Sequence, residues 1–265
     1  MSSTPRGARA PEAPLALALW LMSLLASLCW AGIVLAGLLP GGVLSTTATG
    51  AADPAPHSLA WHAAQLALMF LAWAGLCTAL MLPLAGRAAL LFAHLAGEPA
   101  TLRARAVPRT HLFVLGYLGV WTGIALLAAI AHWLLYATGP TALYPPAVRH
   151  PALLGLALAL AGMFQWTAVK HACLAHCRAP LAGILAGWRE GPSGAFGHGV
   201  AHARQCLGCW WPLMLVLLAA GPDNPAAVTA VGLLVLAEIR LAAGHWVACI
   251  AGPVLLALGT MLLFP

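Results

Sequence analysis

Between His171 and Cys209 lie four of the chain's seven cysteines and four of its eleven histidines. The first group is Lys170-His-Ala-Cys-Leu-Ala-His-Cys-Arg-Ala-Pro180. Cys173 and Cys177 stand four residues apart, so on a helix both thiols point the same way, and Pro180 ends that helix nearby. The second group, Gly197-His-Gly-Val-Ala-His-Ala-Arg-Gln-Cys-Leu-Gly-Cys209, sets His198, His202, Cys206 and Cys209 at steps of 4, 4 and 3. On a helix those steps draw one stripe. Thiolates and imidazoles at such spacings suit zinc or copper sites, and they select Cu(I) or Zn(II) over calcium and magnesium. His176, inside the first group, is a further candidate ligand. A third element is the run Met69, Trp73, Cys77, Met81, which recurs every four residues. Its thioethers are soft donors, with Met81 the candidate ligand among them.

Other residues of these types read more plainly. Cys29 and Cys249 are isolated and read as packing residues, since a free cysteine behaves as a small apolar side chain. Lys170 reads as snorkelling to an interface, with His171 solvated beside it. Glu238, close to Arg240, reads equally as an intramembrane carboxylate or an interfacial one.

The elements that must position these groups are membrane helices. Of 265 residues, 62% are hydrophobic and 7% charged, against the roughly 25% charge of soluble domains. Apolar runs near 15–39, 60–85, 112–137, 152–177, 206–221, 225–241 and 246–264 approach the roughly 20 residues that cross a bilayer. The fifth and sixth are short, so the expectation is an all-α, polytopic transmembrane bundle of six to seven spans, one membrane domain over 1–265. The runs lack the alternation of barrel strands, which leaves helices as the structure that satisfies the backbone in lipid. Segment 86–111 mixes arginines with apolar residues and is expected to lie in the interface. The 40–59 loop, rich in Gly, Pro, Ser and Thr, reads as an exposed outer connection. The metal-motif segment is 165–210.

Basic residues favour the cytoplasmic side of short loops. With the N-terminus inside and seven spans, Arg6, Arg9, Arg87, Arg103, Arg105, Arg109, Lys170, Arg178, Arg189, Arg204 and Arg240 all fall inside, and Arg149 alone falls outside. The net charge of +6 is then accounted for by lipid headgroups, and no nucleic-acid partner is called for. Both cysteine pairs, Cys77 and Met81 then share one depth, toward the inner face.

The string Gln165, Lys170, Cys173-Leu-Ala-His-Cys177-Arg-Ala-Pro180, Trp188-Arg-Glu-Gly191, Gly194-Ala-Phe196, Gly197, His202 and Cys206-Leu-Gly-Cys209 resembles the DUF2182 family of bacterial integral membrane proteins with predicted metal binding. Trp73 with Met81-Leu82-Pro83 is similar to that family's second-span segment, and Glu238 matches a late-span Glu. Trp210, Leu80 and the Gly221-Pro-Asp-Asn224 turn depart from its pattern. The resemblance implies a multispan protein of the bacterial inner membrane and a copper-chaperone role toward copper-dependent oxidases.

Taken with the spacing, the preferred expectation is Cu(I) bound by Cys173, Cys177, Cys206, Cys209 and His202, with Met81, His176 and His198 as further ligands. The ion is held for delivery to, or assembly of, a copper enzyme or membrane complex. Zinc fits the same donors. No general acid, nucleophile or phosphate loop is evident, so the chain is not read as an enzyme. The rival readings are a thiol–disulfide oxidoreductase using Cys206 and Cys209 as its couple, a scaffold subunit, and a metal transporter.

Overall fold

The computed structural model describes residues 59–97, 103–138, 151–222 and 224–264, with scattered positions between Leu17 and Ala31. The described residues are helical apart from turns and caps: α1 (Leu59–Ala96), α2 (Arg103–Thr138), α3 (Pro151–Phe164), α4 (Ala168–Arg178), α5 (Leu181–Ala186), α6 (Gly191–Ala220), α7 (Pro225–Arg240) and α8 (Gly244–Leu263). The first expected span is described only at those scattered positions, which are helical, and the 40–59 loop lies almost wholly outside the described residues.

Among the described residues, four helices are long and apolar enough to cross a membrane, or five if the pair α3 and α4, bent by 74°, is one span. Each difference from the expected runs has a local cause. The run at 152–177 breaks at Gln165–Thr167, where Thr167 stops one helix and starts the next. Its hydroxyl donates to the Phe164 carbonyl at 2.8 Å and accepts the Lys170 amide at 3.2 Å, an N-cap. The run at 206–221 is the second half of the 30-residue α6. At 16 residues, α7 reaches about 24 Å, short of the roughly 30 Å of hydrocarbon.

Residues 86–96 of the expected interfacial segment continue α1, and residues 103–111 begin α2. The 38 residues of α1 extend about 57 Å, far beyond a bilayer's apolar thickness. Gly86–Ala96 is rich in Ala and Leu and meets no proline before Pro99, so the helix runs on. Its Ala88, Ala89, Phe92 and Ala93 are buried against Phe113 and Val114 of α2, Ile184 of α5 and Ala195 of α6, as a second core. The apolar face of Ala88–Ala96 thus covers protein.

The main core joins α1, α2, α4, α6 and α7 through Trp73, Met81, Tyr117, Trp121, Cys177, Cys206, Trp210 and Val235. Small residues set its closest approaches, as membrane helix contacts favour. A Cβ on Gly199 of α6 would collide with the Phe113 carbonyl, and one on Gly116 of α2 with the Phe196 carbonyl. Likewise Gly155 and Gly162 of α3 face Gly259 and Gly252 of α8, with a Cβ on Gly162 reaching 2.7 Å from the Gly252 carbonyl. Leu127, Leu233, Ile250 and Met261 point outward, 63% to 69% exposed, as lipid-facing side chains do.

Candidate metal centre

The bend after Phe164 swings α4 against α6 and brings the two cysteine groups together. Cys177 Sγ lies 3.6 Å from Cys206 Sγ, and Cys206 Sγ lies 3.7 Å from His202 Nε2. Cys177 also faces Cys209 within hydrogen-bonding range. Cys177, Cys206, Cys209 and His202 are buried, whereas Cys173 is half-buried at the edge. Cys173 Sγ sits 3.3 Å from the place a Cβ on Gly208 would occupy, so the glycine between Cys206 and Cys209 makes room for the fourth thiol. All four cysteines are free thiols.

Two thiolates bound to one metal at about 2.3 Å with a tetrahedral angle stand about 3.8 Å apart. The 3.6 Å between Cys177 and Cys206 is close to that spacing, and far from the roughly 2.05 Å of a disulfide.

Aromatic side chains from α2 wall the site. His202 is held between the rings of Phe113 and Tyr117, at centroid distances of 6.1 and 5.7 Å. The Tyr117 hydroxyl donates to the Met81 carbonyl at 3.0 Å and lies within reach of the Cys206 thiol. It thereby ties α1, α2 and α6 at the site. Tyr117 is absent from the sequence-based ligand set; an aromatic in an apolar run carries no spacing that marks it. Met81 is fully buried in the same core as Cys77, Cys177, Cys206 and Cys209, and the whole Met69, Trp73, Cys77, Met81 stripe is at most 7% exposed.

Beneath the thiols lies a buried ion pair. Lys170 Nζ is 2.7 Å from Glu238 Oε2, with side chains 1% and 0% exposed. Gln165 Nε2 donates to Glu238 Oε1 at 2.9 Å, and the ammonium stands 3.7 Å over the Trp210 ring. Pro212 removes the donor that the Gly208 carbonyl would have used. The adjacent Cys209 carbonyl accepts from Lys170 Nζ at 3.3 Å. Lys170 therefore does not snorkel: the turn of α4 aims it inward, and Glu238 is its buried counter-ion.

Two expected ligands are placed elsewhere. His198 Nε2 accepts the Arg189 amide at 3.1 Å, and its ring packs on Phe92 and Trp188, so it braces the second core. His176 Nε2 is packed against Gly183 of α5, where a Cβ would overlap it.

Comparison with known proteins adds one match. A family model described as "PpoB2: Copper chaperone" covers residues 70–262, a stretch that contains Met81, Tyr117, Cys173, Cys177, His202, Cys206 and Cys209. No curated protein and no solved structure matches.

Proposed function

The chain belongs to the PpoB2 copper chaperone family, and from that premise we propose that it carries Cu(I) in the cluster formed by Cys173, Cys177, Cys206, Cys209 and His202. The observation that carries this reading is the buried Cys177–Cys206 contact at 3.6 Å with His202 at 3.7 Å from Cys206. Soft sulfur and imidazole donors favour Cu(I), with Zn(II) the competing ion. Binding replaces thiol protons by metal, so uptake releases protons.

Release requires an exchangeable ligand. Cys173 is the half-buried thiol of the four, so the ion enters and leaves by exchange at Cys173, while the buried Cys177, Cys206 and His202 hold it. Lys170 fixes the Cys209 backbone and Tyr117 ties Met81 to the α6 face. Neither is a ligand in this scheme. The client is a copper-dependent enzyme or membrane complex. We place the chain in the bacterial inner membrane with six or seven spans and a cytoplasmic N-terminus. The arginines at the end shared by α4, α5 and the start of α6 support that orientation.

The test is metal content by elemental mass spectrometry on detergent-purified protein, reduced, loaded with Cu(I) or Zn(II) and washed with chelator. Near-stoichiometric copper in the wild type, lost in Cys173/Cys177/Cys206/Cys209→Ser, is the expected result. No retained metal in well-folded wild type overturns it. Pairwise disulfide formation when the reduced, metal-free protein is exposed to a disulfide oxidant, together with no retained metal, would instead favour the oxidoreductase reading.

A further inference from the structure

Away from the cysteine cluster, α4 and α8 bring together three donors of the same soft-to-borderline class. One ligand atom each from His171, His245 and Cys249 lies within 4.8 Å of the other two. His171 Nδ1 is 3.2 Å from His245 Nδ1, the rings lie 4.6 Å apart, and Cys249 Sγ is 3.8 Å from His245 Nε2. We propose that His171, His245 and Cys249 form a second metal site, open to the surroundings, that accepts Cu(I) before it reaches the buried cysteines.

Three features carry the proposal. Two imidazoles sharing an ion at 2.0–2.1 Å with a tetrahedral angle stand about 3.3 Å apart, close to the 3.2 Å seen between the Nδ1 atoms. His245 and Cys249 are four residues apart on α8 and so share a face.

The surrounding framework is also built to hold them. Trp166 Nε1 donates to the Cys249 carbonyl at 3.2 Å, which fastens α8 to the break between α3 and α4. Arg178, at the end of α4, donates to the Leu241 and Ala242 carbonyls at 2.8 and 3.0 Å. It thereby fixes the α7–α8 turn just before His245. A Cβ on Gly244 would collide with the Glu238 carbonyl and approach Arg178 Nη1, so the turn is close-packed around the same guanidinium.

The third feature is access. His245 is exposed, and His171 and Cys249 are half-buried, which leaves a coordination position free for an incoming ligand. The two sites share α4. His171 is two residues from Cys173, about 200° around the helix, so the surface site and the edge thiol flank one helix from opposite sides. With two imidazoles and one thiolate against the cluster's softer thiol set, the surface site is the weaker hold for the ion's arrival and the cluster the firmer one for its storage.

The inference rests on the copper-carrier reading for its choice of cargo. Its test is anaerobic Cu(I) titration of the full-length protein in detergent against a chromophoric Cu(I) chelator, for wild type, His245→Gln, Cys249→Ser and Cys177→Ser/Cys206→Ser. The expected result is two binding classes in the wild type. Each surface variant abolishes the weaker class, or weakens it by at least about tenfold, the least that losing even a supporting contact costs. The tight class stays untouched. The double cysteine variant removes the tight class alone.

His245 is exposed, so its Gln variant keeps the fold, checked by an unchanged elution profile and thermal midpoint. Co(II) loading of the double cysteine variant gives a second reading: a thiolate-to-metal band that Cys249→Ser removes. A His171–His245 contact that is an ordinary N–H···N hydrogen bond would leave both classes unchanged in His245→Gln. That overturns the second site while the copper reading stands. Two classes that both survive the double cysteine variant sink the cluster and not the surface site.

Discussion

Replacing Lys170 by Met removes the ammonium and keeps a side chain of similar length. The change strips Glu238 of its partner at 2.7 Å, the Cys209 carbonyl of its donor at 3.3 Å and Trp210 of its cation at 3.7 Å. Glu238 is then left with the Gln165 amide at 2.9 Å. Removing one member of a buried ion pair costs roughly 3–5 kcal/mol, because the other charge stays buried without compensation. At about 2–4 °C per kcal/mol for a chain of this size, the thermal midpoint falls by about 6–20 °C. The double change Lys170→Met/Glu238→Gln removes both charges, and its cost is expected to be well below that of either single change, because neutral replacement of a buried pair is often close to neutral in stability. Differential scanning fluorimetry of the four proteins in one detergent closes the double-mutant cycle. A single-variant loss below about 1 kcal/mol, or a double variant that loses the sum of the two singles, would refute the claim that these two side chains compensate each other in the core.

The closest helix contact gives a second prediction. Gly199→Ala sets a methyl on the Phe113 carbonyl and should cost about 1–3 kcal/mol by overpacking. It should also weaken Cu(I) binding, since α2 and α6 part within one turn of His202. Gly197→Ala on the same helix meets nothing within 4 Å and should leave stability equal or slightly raised; equal midpoints for the two variants would count against the packing. A third prediction separates two histidines on one stripe. His202→Gln should weaken Cu(I) binding by tenfold or more, whereas His198→Gln should leave affinity unchanged and cost about 0.5–1.5 kcal/mol for its lost bond to the Arg189 amide. Chelator competition reads the first and thermal unfolding the second.

How far the sequence alone reaches depends on whether a property is set within one helix or between helices. Directions within a helix follow from 3.6 residues per turn. Thus the Met69, Trp73, Cys77, Met81 stripe is buried as one face, and Cys206 and His202 point the same way at 3.7 Å. The partner of each turn does not follow. His198 continues the His202 stripe, yet α6 is about 45 Å long over its 30 residues, and His198, more than two turns before Cys206, meets Phe92 and Trp188 instead of the thiols. A common stripe is therefore a common direction without a common neighbour.

Depth fails for a related reason. A long apolar run reads as a straight span, and a lysine near the end of a straight span snorkels to the interface. The Gln165–Thr167 break turns α4 by 74°, and that turn decides everything after it. It buries Lys170 on Glu238, presents Cys173 and Cys177 to α6, and carries His171 toward α8. Nothing in the spacing of 152–177 announces a bend. Its marks are a Thr N-cap and a buried Gln whose amide is already committed to Glu238, and both become legible only once the partner helix, more than 70 residues away in the chain, is in place. The same turn explains why Cys249, isolated in sequence and read as packing, stands beside two histidines: its neighbours come from α4, a helix whose direction no local pattern encodes.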